Sequence, residues 1–319
     1  MPETVGVDLG GTKMAVGVLD SDRRVLYRST APSQGLPRDE LVGTLIAELQ
    51  RALNARPEVT AIGLGVPATI DWARGVTVSA VNLDLPGVPL RDLVAERFGL
   101  PAFLDNDANV AALAEHRYGA ARGATNAVML TIGTGIGGGL IVNGQPFRGS
   151  SGAGAELGHV VIDENGPPCQ GNCPNHGCVE IFASGHALAR EGAAAAEREP
   201  DSALGRLAAG GHAIDGTSVT ASAHAGDEAA IGALATIGRH LGVAMATFAN
   251  IFDPDVIVIG GGVSVAGDLL LEPARGELRA RALPPMSQQV AVRLAELGPD
   301  AGMIGAAALA ALERSDARG

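Results

Sequence analysis

The chain has 319 residues, 46% of them hydrophobic and 18% charged, which suits a folded protein long enough for two domains and excludes a disordered composition. Its net charge of −12, with no basic run, leaves no Lys/Arg footprint for nucleic-acid phosphates. Met-Pro-Glu enters a strand-like run at once, and the longest uncharged stretch, residues 124–147, is broken by Gly133, Gly135, Gly137, Gly138 and Gly139. Neither a signal peptide nor a membrane helix is expected, and the setting expected is cytoplasmic.

In chain order, TVGVDLGGTKMAVGVLD (Thr4 to Asp20) places β-branched residues on both sides of Gly10-Gly11, which predicts two strands joined at a glycine turn. Asp39 to Leu53 has apolar residues at helical spacing. TAIGLGVPATID reads as a short strand entering a Gly/Pro loop, and PAFLDNDANVAALAEHRYG as a strand followed by a helix that opens near Asn106. NAVMLTIGTGIGGGLIVNGQPF repeats the opening pattern of strand, glycine turn and return strand, with a hairpin signal at Asn143-Gly144, so two structurally related halves are expected. Residues 186–250 are Ala-rich and read as helical, PDVIVIGGGVS as a buried strand running into three glycines, and the charged tail after Leu312 as frayed.

Two familiar nucleotide motifs fail on context. Gly133-x-Gly135-x-x-Gly138 matches a dinucleotide fingerprint but runs into a strand instead of opening a helix. Gly11-Thr12-Lys13 resembles the end of a Walker A loop, yet position 7 is Val7 where that motif needs glycine. What remains are hairpin turns whose successive N–H groups form anion-binding concavities, with hydroxyls from Thr12 and Thr134 and with Asp8 placed to hold a metal ion through water. At this point, glycines that serve only as tight turns stay open as the alternative.

All three cysteines, Cys169, Cys173 and Cys178, fall within ten positions. An odd number cannot all pair internally, and a reducing setting argues against structural disulfides.

Together these pieces resemble the ROK family of sugar kinases and sugar-responsive repressors, and the match runs across essentially the whole chain. Asp8-x-Gly10-Gly11-Thr12-Lys13 is similar to its first phosphate loop, Thr131 to Gly139 to its second, and Gly260-Gly261-Gly262 to its adenosine loop. Asn106-Asp107-Ala-Asn109 and Glu156-x-Gly-His159 match its sugar-site motifs, and Asn175 to Glu180 its cysteine signature.

The resemblance implies a two-domain α/β fold of the actin-like (ribonuclease-H-like) hexokinase kind, with a zinc-clamped loop. The expected division is an N-terminal domain of residues 1–118, to which 301–319 return as a helix, and a C-terminal domain of 119–300. The expected activity is ATP-dependent phosphorylation of a hexose 6-hydroxyl, glucose first, with Asp107 as general base. A helix cap is the competing role for that residue.

Sugar contacts fall on Asn82, Asn106, Asp107, Glu156, His159 and Glu180. Contacts to ATP and Mg2+ fall on Asp8, Gly10, Gly11, Thr12, Lys13, Thr134, Gly135, Gly261 and Gly262. His159, Cys169, Cys173 and Cys178 make a Cys3His set that suits a closed structural zinc site. A homodimer or homotetramer is implied, with a sugar and a nucleotide as partners and neither nucleic acid nor membrane.

Alternatives are an N-acetylhexosamine, mannose or fructose kinase, a polyphosphate-dependent kinase, and a non-catalytic sugar-binding protein. The sequence departs from the family pattern in the Cys169-x-x-x-Cys173 spacing, with Pro174 in place of glycine, and in Ala68 and Ala155. The extra residues are expected to bulge at Gly171-Asn172 without displacing either sulfur.

Overall fold

The computed structural model describes residues 3–80, 83–171 and 173–316. Twelve strands are found among them: β1 (Glu3–Leu9), β2 (Lys13–Leu19), β3 (Val25–Pro32), β4 (Val59–Val66), β5 (Ala68–Asp71), β6 (Val76–Ala80), β7 (Ala102–Asn106), β8 (Ala127–Ile132), β9 (Ile136–Val142), β10 (Gln145–Pro146), β11 (Val256–Gly260) and β12 (Ala291–Leu294). The helices are α1 (Arg38–Ala55), α2 (Leu90–Phe98), α3 (Asp107–Tyr118), α4 (Val179–Ala183), α5 (Gly185–Arg198), α6 (Ala203–Ala209), α7 (Gly216–His224), α8 (Glu228–Phe252), α9 (Asp268–Arg281), α10 (Met286–Gln289) and α11 (Ala301–Asp316).

Both five-stranded sheets have the same plan. The first runs β3-β2-β1-β4-β7 and the second β10-β9-β8-β11-β12. Each starts from a hairpin of two consecutive strands, and the first strand of that hairpin then pairs in parallel with a strand brought back after a crossover. This is the internal repeat that the two glycine hairpins announce. Asn143 (φ 52°) and Gly144 (φ 74°) take the left-handed conformations that a two-residue hairpin turn demands.

The chain forms two compact units, residues 1–123 with 139–155 and 296–319, and residues 124–138 with 156–295. The division expected from sequence differs from these units chiefly in the segment 139–155.

In the first unit, α1 buries Leu41, Leu45, Leu49 and Ala52 along one face against the first sheet. Each such leucine contributes ~1.5–3 kcal/mol. Helix α11 lies directly on β1 and β4, because Gly6 and Gly63 have no side chain: a Cβ on either would overlap the α11 backbone. The tail is not frayed after Leu312. The helix continues to Asp316, since Glu313 pairs with Arg148 and Arg314 donates to the Thr60 hydroxyl.

In the second unit, the Ala-rich stretch forms α5 to α8 as its composition predicts. Helix α8 is the one helix among the described residues long and apolar enough to cross a membrane, but it packs against α4, α5, α7 and α9, with Ile237, Leu241, Met245 and Phe248 buried.

Candidate active site and metal centre

The first unit presents its candidate groups where the parallel strands end. Register places Asp8, Gly65 and Asp105 in one row across β1, β4 and β7, so the turn after β1 and the start of α3 emerge side by side. The carboxyl of Asp8 is pushed up to about 6, first by burial, then by the neighbouring Asp107 charge, with Lys13 acting the other way.

The turn at Gly10-Gly11-Thr12 is closed by Gly10 N–H donating to the Lys13 carbonyl at 3.0 Å. Ser33 clamps it from β3's end: its hydroxyl donates to the Gly10 carbonyl at 2.6 Å and its N–H to the Thr12 carbonyl at 3.1 Å. Thr12 and Lys13 are left exposed. Ser33 escapes sequence reading, because nothing local marks it.

Helix α3 is capped by Asn106, whose Oδ1 accepts from Ala108 N–H at 2.8 Å and Asn109 N–H at 3.3 Å. The capping role that competed for Asp107 therefore belongs mainly to its neighbour, although Asp107 Oδ1 also accepts from Ala108 N–H at 2.9 Å. The Asn106 amide donates to the Ala68 carbonyl at 3.3 Å. Asn82, the remaining sugar candidate in this unit, lies outside the described residues.

In the second unit the loop Gly133-Thr134-Gly135 turns between β8 and β9, with Thr134 exposed. Glu180 grips it: Oε2 accepts from Ile136 N–H at 2.8 Å, in a space that a Cβ on Gly135 would fill. Glu156, at the mouth of a short 3₁₀ turn ending at His159, has its carboxyl held above the usual range by partial desolvation, with Glu180 adding and His159 opposing.

Gly261 (φ 83°) packs against the backbone of Ile132, and Gly262 borders a cavity of about 510 Å³. Gly133 and Thr134 form its other rim, and α5 and α7 supply walls that include His186, Asp215, Thr217 and His224. Asp215 caps α7 through a reciprocal pair with Ser218. His186 is an isolated polar side chain at the start of the Ala-rich α5, and Asp215, Thr217 and His224 around the Ser/Thr-rich α7 belong to no nucleotide motif.

The metal quartet comes together. The candidate donor atoms of His159, Cys169, Cys173 and Cys178 all lie within 4.8 Å of one another. Cys169 Sγ is 3.5 Å from His159 Nδ1, and Cys173 Sγ is 3.9 Å from Cys178 Sγ. Tetrahedral zinc with sulfur at ~2.3 Å sets neighbouring donors about 3.8 Å apart, so these edges fit.

The thiols themselves call for a cation. Burial, then the crowding of Cys178 and Cys173, pushes Cys169 up to about 12, and burial raises Cys178 as well. A divalent ion reverses that cost by stabilising the thiolates. With Nδ1 turned to the sulfurs, His159 keeps Nε2 for another partner.

The loop is laid out by backbone pairs between Val161 and Cys178 and between Pro168 and His176. The longer spacing is taken up by a turn in which Cys173 N–H donates to the Gln170 carbonyl at 3.4 Å and Gly171 has φ 60°. Asn172 lies outside the described residues. Gln170 leaves this turn to donate to the buried Ser184 hydroxyl at 3.1 Å and to meet His186 Nδ1, a wall of the cavity.

The ROK family model matches residues 4–313. The chain belongs to the ROK family. It is 38% identical over 307 residues to a glucokinase of Halalkalibacterium halodurans, covering 94% of this chain and 92% of that protein. It is 36% identical over 311 residues to a glucokinase of Streptomyces coelicolor, covering 96% and 97%. Among solved structures it resembles a ROK family glucokinase from Streptomyces griseus in complex with glucose and AMPPNP, at a TM-score of 0.84 and 35% identity, covering 97% of this chain and 99% of that one.

Against the ROK pattern, the departure at Ala155 has a physical consequence. Its φ is 68°, a left-handed conformation that costs an L-residue ~1–2 kcal/mol, immediately before Glu156. Ala155→Gly removes that strain and adds flexibility to the unfolded chain, so a net gain of ~1 kcal/mol or less is expected as a higher midpoint in thermal denaturation. A lower midpoint would show that the alanine is not strained.

Proposed function

We propose that this chain is an ATP-dependent glucokinase that transfers the γ-phosphoryl group to the 6-hydroxyl of glucose. The observation that carries this reading is the full-length likeness, at 35% identity, to a glucokinase solved with glucose and an ATP analogue. In the proposed step Asp107 accepts the proton of the sugar 6-hydroxyl, that oxygen bonds to the γ-phosphorus, and the bond to the bridging oxygen breaks to release ADP.

Asn106 and Asp107 from the first unit, with Asn82, Glu156, His159 through Nε2 and Glu180 through Oε1, are the proposed hydroxyl partners. The turns at Gly10 to Lys13 and at Thr134-Gly135 are the proposed phosphate cradles, and Gly261-Gly262, with the cavity that Gly262 borders, is the proposed nucleoside site. Asp8 is the proposed holder of the Mg2+ that accompanies ATP, which when bound offsets charge on the β- and γ-phosphates. The zinc quartet has four protein ligands, a closed set whose proposed work is to shape the loop that ends in Glu180. A cytoplasmic homodimer or homotetramer is the form this reading implies, as thiols kept reduced for metal require.

Coupled measurement of ADP release from Mg-ATP over glucose, N-acetylglucosamine, N-acetylmannosamine, mannose and fructose tests the proposal. Glucose is expected to give the highest kcat/KM. A maximum on another sugar reassigns the substrate. A silent panel from folded, zinc-loaded protein overturns the kinase reading, and polyphosphate in place of ATP tests the donor.

A pH dependence follows from Asp8. Below about 6 its carboxyl is neutral in the unliganded protein, and cation binding must first remove a proton. At saturating glucose, kcat/KM for Mg-ATP is expected to be flat from neutral pH down to about 6 and then to fall about tenfold per pH unit. A profile flat to pH 5 would exclude this role for Asp8.

A further inference from the structure

Arg148 belongs to none of the phosphate, sugar or metal motifs, yet its side chain is only 15% exposed and meets three elements of the first unit. Its Nε donates to Asp105 Oδ2 at 2.6 Å, and its Nη2 to Glu313 Oε1 on α11 at 2.9 Å. The guanidinium also lies 4.8 Å from the ring centroid of Trp72.

Asp105 is the residue that matters here. It is 2% exposed, and its second oxygen Oδ1 accepts from the backbone N–H of Asn106 at 2.8 Å and from Asn109 Nδ2 at 2.9 Å. Asn106 in turn caps α3 and holds the Ala68 carbonyl. Asp107 is thus set between two residues, Asn106 and Asn109, that both hang from one carboxylate, and Arg148 is the cation that neutralises it.

We propose that Arg148 is a positioning residue for phosphoryl transfer: by orienting and neutralising Asp105, it fixes the turn that aims Asp107 at the sugar hydroxyl. This rests on the reading of Asp107 as the general base. Removing the Arg148 cation leaves a buried carboxylate without a counter-charge. Rotation of Asp105 then disturbs the acceptor that holds Asn106 and Asn109, and displacements of an ångström at a reacting group cost about 10²-fold in rate. Lysine is a poor substitute, because it keeps the charge but loses the planar fork that serves Asp105, Glu313 and the Trp72 face together.

The test compares Arg148→Met, Arg148→Lys and Glu313→Gln with the unmodified chain. Glu313→Gln breaks the α11 link while leaving the Asp105 pair. The readouts are kcat, KM for glucose and Mg-ATP, the unfolding midpoint, and the emission of Trp72, the single tryptophan of the chain.

Arg148→Met is expected to lower kcat roughly 10- to 100-fold with both KM values within about threefold, Arg148→Lys to fall between it and the parent, and both to shift Trp72 emission. Glu313→Gln is expected to lose stability while keeping kcat within about twofold. Should Arg148→Met not fold, Arg148→Lys carries the same prediction. Parental kcat in the folded Arg148 variants overturns the positioning role alone. Equal losses of kcat and stability in Glu313→Gln would reduce Arg148 to scaffolding and also overturn it. No turnover in the unmodified protein would overturn the kinase reading and this proposal together.

Discussion

Asp107→Asn is expected to lower kcat by ~10²–10⁴-fold while leaving the unfolding midpoint and the KM for Mg-ATP close to those of the parent. The amide keeps an oxygen where Asp107 Oδ1 accepts from Ala108 N–H, and Asn106 remains the main cap, so α3 has no reason to shift. What is lost is the ability to take the hydroxyl proton. The charge change has a second, separate signature. Asp107 is one of the causes that raise Asp8, so removing its charge should move the acid limb of kcat/KM for Mg-ATP to lower pH. A variant with parental kcat would refute Asp107 as base. A variant that lost activity only by unfolding would return the residue to a structural role.

The second large effect is expected from the metal quartet. Purified protein should carry one zinc per chain by elemental analysis, and Cys178→Ser or exhaustive chelation should abolish it. Cys178 is fully buried two residues before Glu180, and its neighbour Val179 pairs with Val160. Loss of the ion therefore unfastens the segment that brings Glu180 to Ile136 and His159 to its turn. Closed zinc sites in small peptides carry ~10–16 kcal/mol of apparent binding free energy at pH 7. Only part of that should appear as lost global stability, because α5, α7, α8 and α9 form a core that the ion does not touch.

The KM for glucose should rise steeply. Nucleotide binding should weaken too, because Gln170 carries the disturbance to Ser184 and His186. Zinc-free protein with parental KM values would mean the clamp is ornamental to catalysis.

Much of this was legible from local pattern. The strand alternation around Gly10-Gly11 and Gly133 to Gly139, the Asn143-Gly144 turn and the apolar stripe of α1 are properties of short windows, and each formed as its window predicts. The cysteine cluster was legible because all three fall within ten positions, His159 joined it through the family resemblance, and the unusual spacing was absorbed by a turn at Gly171.

What was not legible depends on partners far away in sequence. Ser33 closes a turn more than twenty residues earlier, Arg148 reaches Asp105 and Glu313, and Glu313 and Arg314 keep a helix going where the charged tail suggested fraying. The cavity walls on α5 and α7 carry no nucleotide motif: His186 stands alone on an alanine helix, and the Ser/Thr-rich α7 shows only a capping pattern.

Helix α11 also sets an order of events during synthesis. Its Ala307 lies 303 residues after Thr4, yet the helix covers β1, β4 and α3, and Gly6 and Gly63 are shaped to receive its backbone. The first unit therefore cannot complete its core until α11 has been made, whereas residues 124–138 and 156–295, which form the second unit, all precede that helix. Domains more often mature from the N-terminus onward. Here the N-terminal sheet must wait with one face uncovered, the long-range closure that slows folding comes last, and the second unit ripens first.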